Sequence, residues 1–460
     1  MMKTVLYALS FLAAVILMTS CPGTEYGCPP YCNDTCCCGD CDLDTCDPEY
    51  CEGCCCKEGI ECLVDTCNNN PDFECWGCCC EVGIDCYMDT CREEYCNQTG
   101  SFEVFLGGYG EDQGWSILKS TEGTLALTGR YSELTDMNYD IWLGKIDSTG
   151  KLLWARHSIY GNVDDEYAVD LIELSDRDLV VLANKAKNGT DNQIYLVRTD
   201  KDGIPRWVKD YGPFSDDQGW SVTSVSNDLS YLVAGSSDIY KSFKGWEAMI
   251  WEVKNDGVPE IRWNFGTGGD DYACCIEVDR DGNYLLLSVI EKENGGCKLT
   301  LDKLNKNMSG LIWESEIVSS CLPGHRACIS TIEHSNGTTE QADYVIAAAV
   351  LTGEMRITLV NADGTLSDYA TYTDITFTGS VSVIPAADGG FAVLTDEMLL
   401  VKLSAGLSVE WTRDFSGESH GVHSLLQSGD GGFIMIGTKY NEATASNDIY
   451  VVKTDQEGKL

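Results

Sequence analysis

Asp147-Ser148-Thr149-Gly150-Lys151-Leu152-Leu153-Trp154 is followed about fifty residues later by Asp200-Lys201-Asp202-Gly203-Ile204-Pro205-Arg206-Trp207. Both read Asp-x-x-Gly-x-x-x-Trp. The Asp opens a tight turn, the Gly supplies the positive φ it needs, and the Trp centres a short run after it. Upstream of each turn lies an alternating apolar run, Asp140-Ile141-Trp142-Leu143 and Gln193-Ile194-Tyr195-Leu196-Val197. The spacing predicts a hairpin in each case.

Working outward, the pattern recurs along Ser101–Leu460. The aromatic run returns at Trp263, Trp313, Tyr369 and Trp411. A second family of turns precedes further apolar runs at Asp281-Gly282, Asp388-Gly389-Gly390 and Asp430-Gly431-Gly432. Each unit opens on an acidic residue near a small one, as in Asp112-Gln113-Gly114-Trp115-Ser116 and Asp217-Gln218-Gly219-Trp220-Ser221. Four short strands per repeat of a little over fifty residues is the sequence form of a propeller blade. First, second and third runs each occur seven times, fourth runs only six. Ser101 to Tyr109 precedes the first unit and resembles a fourth run, so it is expected to pair with the last blade as its outer strand. The fold class is therefore all-β: a seven-bladed β-propeller of four-stranded antiparallel blades over 101–460, closed by the N-terminal strand 101–109 and preceded by a small disulfide-rich segment.

Of 26 cysteines, 21 fall between Cys21 and Cys96. Three units start at Cys36-Cys37-Cys38, Cys54-Cys55-Cys56 and Cys78-Cys79-Cys80, and Asp-Thr precedes the fifth cysteine of each. Units so short have almost no apolar core, and cross-links take its place. Outside the cytoplasm those are disulfides. The other reading of this region, 21–100, is a store of soft metal held by clustered thiolates. It lacks His, and an oxidising compartment removes free thiolates.

Lys3 and the apolar run Val5 to Met18 read as a signal peptide over 1–20. The run ends Leu17-Met18-Thr19-Ser20-Cys21, which resembles a bacterial lipobox. That resemblance implies lipidation of Cys21 and places the protein, secreted, in the cell envelope on the outer face of a membrane. No other stretch is long and apolar enough to span a bilayer, so the lipid anchor is the expected membrane attachment. The formal charge of −42 argues against nucleic acid as a partner.

The body resembles secreted bacterial propellers related to the quinoprotein-like, tryptophan-docked superfamily, on Asp147 to Trp154, Asp200 to Trp207 and the Asp388 and Asp430 turns. Enzymes there hold a quinone over Ca²⁺ in the central channel. No matching ligand set occurs here, so no cofactor is expected. Ca²⁺ is the ion that Asp112, Asp165, Asp217, Asp270 and Asp271 would suit; Asp at turns also bonds its own backbone.

Trp115, Tyr167, Trp220, Tyr272 and Arg326 are aligned at one strand position. They are the candidate ligand-binding set, either a ring around the channel mouth that stacks on a flat ligand or packing between blades. Ser116, Ala168, Ser221, Ala273, Ala327 and Ser380 are aligned as the small residues near the axis. Cys274-Cys275 suggests a vicinal disulfide, as in some quinone-binding relatives; Cys274 and Cys328, at matching places in neighbouring blades, suggest a bridge between blades. His325, His420 and His423 approach one rim with no hydrolase, zinc-protease or phosphate-loop motif beside them. The reading of function is a non-enzymatic, monomeric envelope lipoprotein that binds or scaffolds a protein or glycan partner. The alternatives are a quinone- or Ca²⁺-dependent enzyme of the channel and metal binding by the cysteine-rich region.

Overall fold

A computed structural model describes residues 100–133, 138–157, 165–187, 191–211, 216–225, 228–238, 245–267, 269–292, 295–321, 327–332, 342–376, 379–416 and 424–460. The signal segment, Cys21, the cysteine units, Arg326, His325, His334, His420 and His423 lie outside the described residues.

Strand β1 (Phe102–Leu106) comes first. Blade one follows as β2 (Gln113–Lys119), β3 (Leu125–Ser132), β4 (Tyr139–Ile146) and β5 (Leu152–Arg156), and blade two as β6 (Asp165–Glu173), β7 (Leu179–Lys187), β8 (Asp191–Thr199) and β9 (Pro205–Tyr211). Blade three is β10 (Asp216–Ser224), β11 (Ser230–Asp238), β12 (Glu247–Lys254) and β13 (Pro259–Phe265). Blade four is β14 (Tyr272–Val278), β15 (Tyr284–Glu291), β16 (Cys297–Leu304) and β17 (Leu311–Cys321). Blade five is β18 (Cys328–Thr331), β19 (Tyr344–Ala349), β20 (Glu354–Val360) and β21 (Leu366–Thr376), and blade six is β22 (Val381–Pro385), β23 (Phe391–Thr395), β24 (Leu399–Leu403) and β25 (Val409–Asp414). The last is β26 (Ser424–Gln427), β27 (Phe433–Asn441) and β28 (Ser446–Lys453). Seven four-stranded antiparallel sheets result, the last in the order β1-β28-β27-β26. The expected seven blades and the expected closing strand are both present: Phe102 pairs with Lys453, Val104 with Val451 and Leu106 with Ile449.

Blades stack face to face, so their second and third strands are buried on both sides. That is why they read as unbroken apolar runs, such as Leu179-Val180-Val181-Leu182-Ala183, fully buried along its length. The core is spread over the seams between blades. At the closing seam Leu106, Ile117 and Leu127 pack with Ile434, Ile436, Ile449 and Val451. At the next, Ala126, Ile141 and Leu143 pack with Ala168, Val181 and Val197.

The Asp-x-x-Gly-x-x-x-Trp pattern has a physical cause. The outer-strand aromatic of one blade lies on the turn glycine of the next. A Cβ on Gly203, Gly364 or Gly458 would stand 2.6–2.7 Å from the ring of Trp154, Trp313 or Trp411. Gly150 stands in the same way against Phe102 of the closing strand. The Trp207 and Trp313 indole N–H groups donate to the Asn255 and Ala362 carbonyls in those turns, both at 3.0 Å. In blades four and six the positive-φ turn position holds Met308 and Leu407 instead of glycine. There Met308 and Trp263 pack against the same buried cluster, and the Tyr372 hydroxyl donates to the Leu407 carbonyl at 2.6 Å.

Cys297 and Cys321 form a disulfide that joins the ends of β16 and β17. Cys274, Cys275 and Cys328 are in no disulfide. The vicinal bridge expected for Cys274-Cys275 is thus absent, and the Cys274 thiol lies 3.3 Å from the Leu287 carbonyl.

Candidate functional site

The inner strands of blades one to four each carry a bulge, at Gly114/Ser116, Ala168/Asp170, Gly219/Ser221 and Ala273/Cys275. A bulge places two residues against one and redirects the side chain after it. The bulges fix an alignment of the blades that differs by one residue from the sequence reading. Trp115 and Trp220 are bulged residues, equivalent to Val169 and Cys274. Tyr167 and Tyr272 precede them by two positions and match Gln113 and Gln218. The four aromatics therefore do not occupy one strand position. Trp115 and Tyr167 pack together across the blade one–blade two seam with centroids 6.1 Å apart. Both join the cluster around Val169, Leu182 and Val222, and Tyr272 joins the cluster around Cys274 and Ile329.

The physical reason is the doubled acid at each strand start. Glu111-Asp112, Asp165-Glu166, Asp216-Asp217 and Asp270-Asp271 are equivalent pairs, and either acid can be taken as the landmark. The first of each pair reaches the preceding blade: Asp165, Asp216 and Asp270 accept from the amides of Tyr139, Asn192 and Trp246. At the closing seam, Glu111 accepts from the Asn447 side chain at 2.8 Å. The second of each pair is wholly buried. Asp112 accepts from the Ser132 and Gly108 amides, and Asp271 from those of Glu291 and Thr267. These carboxylates serve the backbone and the seams. Among the described residues, no group of three or more His, Cys, Asp or Glu is placed to hold a metal ion.

One residue beyond each bulge, and at the matching place in the other blades, stand Ser116, Asp170, Ser221, Cys275, Cys328, Ser382 and Ser424. These seven replace Ser116, Ala168, Ser221, Ala273, Ala327 and Ser380 as the set nearest the axis. Their side chains reach across the seams. The Ser424 hydroxyl donates to the Ile117 carbonyl at 3.1 Å, and that of Ser116 to Asp170 at 3.3 Å. Asp170 also accepts from the Val222 amide at 2.8 Å. Ser221 accepts from the Ile276 amide at 3.3 Å. Cys275 and Cys328 face each other across the next seam, and Cys328 lies beside the Val383 amide and Ser382. Small polar residues from all seven inner strands thus line the middle of the ring.

Two carboxyls in this lining hold protons unusually tightly. Burial pushes Asp170 up to about 6 against the lowering pull of the Val222 and Leu171 amides. Burial, then the neighbouring Cys328 and Asp170, pushes Glu277 up to about 8. Burial also raises Asp112 and Asp302 to about 7 each. All four folded values lie above those of the unfolded chain, so the folded chain binds more protons between about pH 4 and pH 8 and stability falls as pH rises through that window. Calorimetry is expected to give a midpoint several degrees higher near pH 5 than near pH 8.5. A midpoint that rises over that range contradicts the assignment.

Sequence reasoning missed a second set. Lys145, Arg198, Lys303, Lys402 and Lys453 are buried on third strands. They pair with acids at the first turn of their own blades: Glu122 at 3.6 Å, Asp178 at 2.8 Å, Asp279 at 2.6 Å, Asp388 at 2.7 Å, and Asp430. A lysine in an apolar run reads as an exposed position, and only the pairing shows otherwise.

No family model matches the chain, and no curated protein matches it. Several solved structures are similar in fold. BamB from Moraxella catarrhalis is 11% identical with a TM-score of 0.41, over 77% of this chain and 97% of that one. A protein of unknown function from Bacteroides caccae is 13% identical with a TM-score of 0.36, over 76% and 92%. The Pan2 WD40 domain of Neurospora crassa is 11% identical with a TM-score of 0.45, over 78% and 96%. Likeness at this level concerns the fold alone.

The two ends of the ring differ. In each up-and-down blade the first and third turns share one side. On that side Leu152, Leu311, Leu366, Val409 and Leu460 come directly after the residue that closes the third turn of their blades, and in blades two and three Ile204 and Val258 are themselves the closing residues. All are 41–56% exposed. They describe a circle of aliphatic side chains around one rim, a feature of seven separate positions that no single motif announces.

Proposed function

We propose that this protein is a non-enzymatic binding or scaffold protein of the cell envelope, held to a membrane by lipid on Cys21, whose propeller docks a protein partner through its turn side. The observation that carries this reading is the circle of exposed aliphatic residues, one from each blade. Dispersed apolar side chains on a rigid, polar rim suit the desolvated anchors of a protein interface. Glycan recognition would instead favour open aromatic planes, whereas Trp115, Tyr167, Trp220 and Tyr272 are half-buried and the first, second and fourth of them join the packed clusters between blades. The acidic chain suits a partner that surrounds its apolar patch with Lys and Arg.

The test uses full-length protein and a triple variant, Leu152→Asp/Leu366→Asp/Val409→Asp. All three positions are exposed, so the variant is expected to keep its melting midpoint. Quantitative co-purification from the native envelope is expected to recover a defined partner with the wild type and to lose it at least tenfold with the variant. Equal recovery by both proteins, or loss of binding on addition of free glycans, overturns the reading.

A further inference from the structure

The chain of contacts around the ring's middle is made by serine hydroxyls and one carboxylate, except at the blade four–blade five seam. There it passes through two thiols. Cys275 on β14 and Cys328 on β18 occupy equivalent places in adjacent inner strands. Their side chains face each other across the seam, from the same strand position at which Ser116 reaches Asp170 between blades one and two; both are half-buried and neither is in a disulfide. The bridge expected from sequence between Cys274 and Cys328 has its partner one residue further on. The sulfurs of Cys275 and Cys328 are the pair in contact, and Cys274 is turned into the blade.

We propose that Cys275 and Cys328 are a thiol–disulfide exchange site, which converts reversibly to a cross-link between blades four and five by reaction with a disulfide compound of the surroundings.

The local groups suit the chemistry. Cys275, the Val383 amide and Ser382 surround the Cys328 thiol. The Cys275 contact, then these donors, hold the Cys328 thiol below its ordinary range against the opposing effect of burial. Cys275 is pushed up by its contact with Cys328 and by burial. Cys328 is therefore the attacking thiolate and Cys275 the resolving thiol. The Cys328 thiolate attacks a disulfide RSSR and forms a Cys328–SR mixed disulfide, with release of one RS⁻. Cys275 then gives up its proton and attacks the Cys328 sulfur, and the second RS⁻ leaves. In sum, two protein thiols and RSSR yield one protein disulfide and two RSH. The protein loses two electrons and two protons, and the small disulfide takes up both. The two released thiolates take up the two protons that the protein gives up.

Substitution here should leave the fold intact, because Cys275→Ser and Cys328→Ser install the residue that Ser116, Ser221 and Ser382 already supply in other blades. The experiment is a redox titration of the full-length protein against oxidised and reduced glutathione, followed by acid quench, alkylation and peptide mapping. The expected result is a Cys275–Cys328 linked peptide that appears with a two-electron midpoint and is reversed by reductant. The Cys297–Cys321 bridge should persist in both serine variants. The proposal is overturned if oxidation links Cys274 to either neighbour, or if Cys275 and Cys328 remain separately alkylated at every glutathione ratio.

Discussion

Leu106→Asp is expected to lower unfolding free energy by about 3–5 kcal/mol. Leu106 is the last residue of the closing strand, and its buried side chain meets blade one at Ile117 and Leu127 and blade seven at Ile436 and Ile449. The substitution deletes that packing and puts a carboxylate among side chains that offer it no donor in exchange. Because β1 pairs the start of the chain with its last strand, the loss falls on the one junction of the ring that has no covalent continuity. It also frees the β28 edge to pair with other chains. Equilibrium denaturation and size-exclusion chromatography check both effects: a lower midpoint and a new self-associated species. Ser101→Asp, exposed just before the same strand, is the control and should be nearly neutral. A Leu106→Asp protein within 1 kcal/mol of the wild type would mean that the strand does not close the ring.

Gly203→Ala is expected to cost about 3 kcal/mol, and Gly123→Ala about 1 kcal/mol. Both glycines have positive φ, +78° and +83° respectively, so the backbone penalty is shared. They differ in what a Cβ would meet. At Gly123 there is nothing within 4 Å, whereas at Gly203 the Trp154 ring lies 2.7 Å away. The difference between the two variants, measured by chemical denaturation, isolates the contact that fastens one blade to the next. Equal losses would show that the indole moves aside and that the docked aromatic adds little.

The blade count and the closure were legible because they rest on that same contact. An indole laid on a neighbouring backbone excludes a Cβ and demands a turn, so Trp154, Trp207 and Trp313 each leave a long, specific mark in the chain. Where another residue fills the turn, as with Met308 and Leu407, the mark fades although the geometry persists. The middle of the ring was less legible. Paired acids such as Asp165-Glu166 allow two alignments one residue apart, and in a strand one residue exchanges the two faces. The bulge that decides between them is a backbone feature with no motif of its own. Thus Tyr167 was set beside Trp115 when its equivalent is Gln113, and Cys274 was matched to Cys328 in place of Cys275. The buried lysines were missed for another reason: an ion pair such as Lys303 with Asp279 joins a third strand to the first turn of its blade, through residue types that both read as surface. The aliphatic circle from Leu152 to Leu460 is unremarkable at each position, and its meaning lies in the seven-fold placement.

The most direct test of a ring closed by its own first strand is hydrogen exchange on the full-length protein, resolved to the peptides that cover 102–106 and 446–453. The account predicts slow exchange in both segments, and in Leu106→Asp a joint loss of protection that leaves blades three to five unchanged. Rapid exchange of 102–106 in the wild type, at the rate of an unstructured chain, would contradict it.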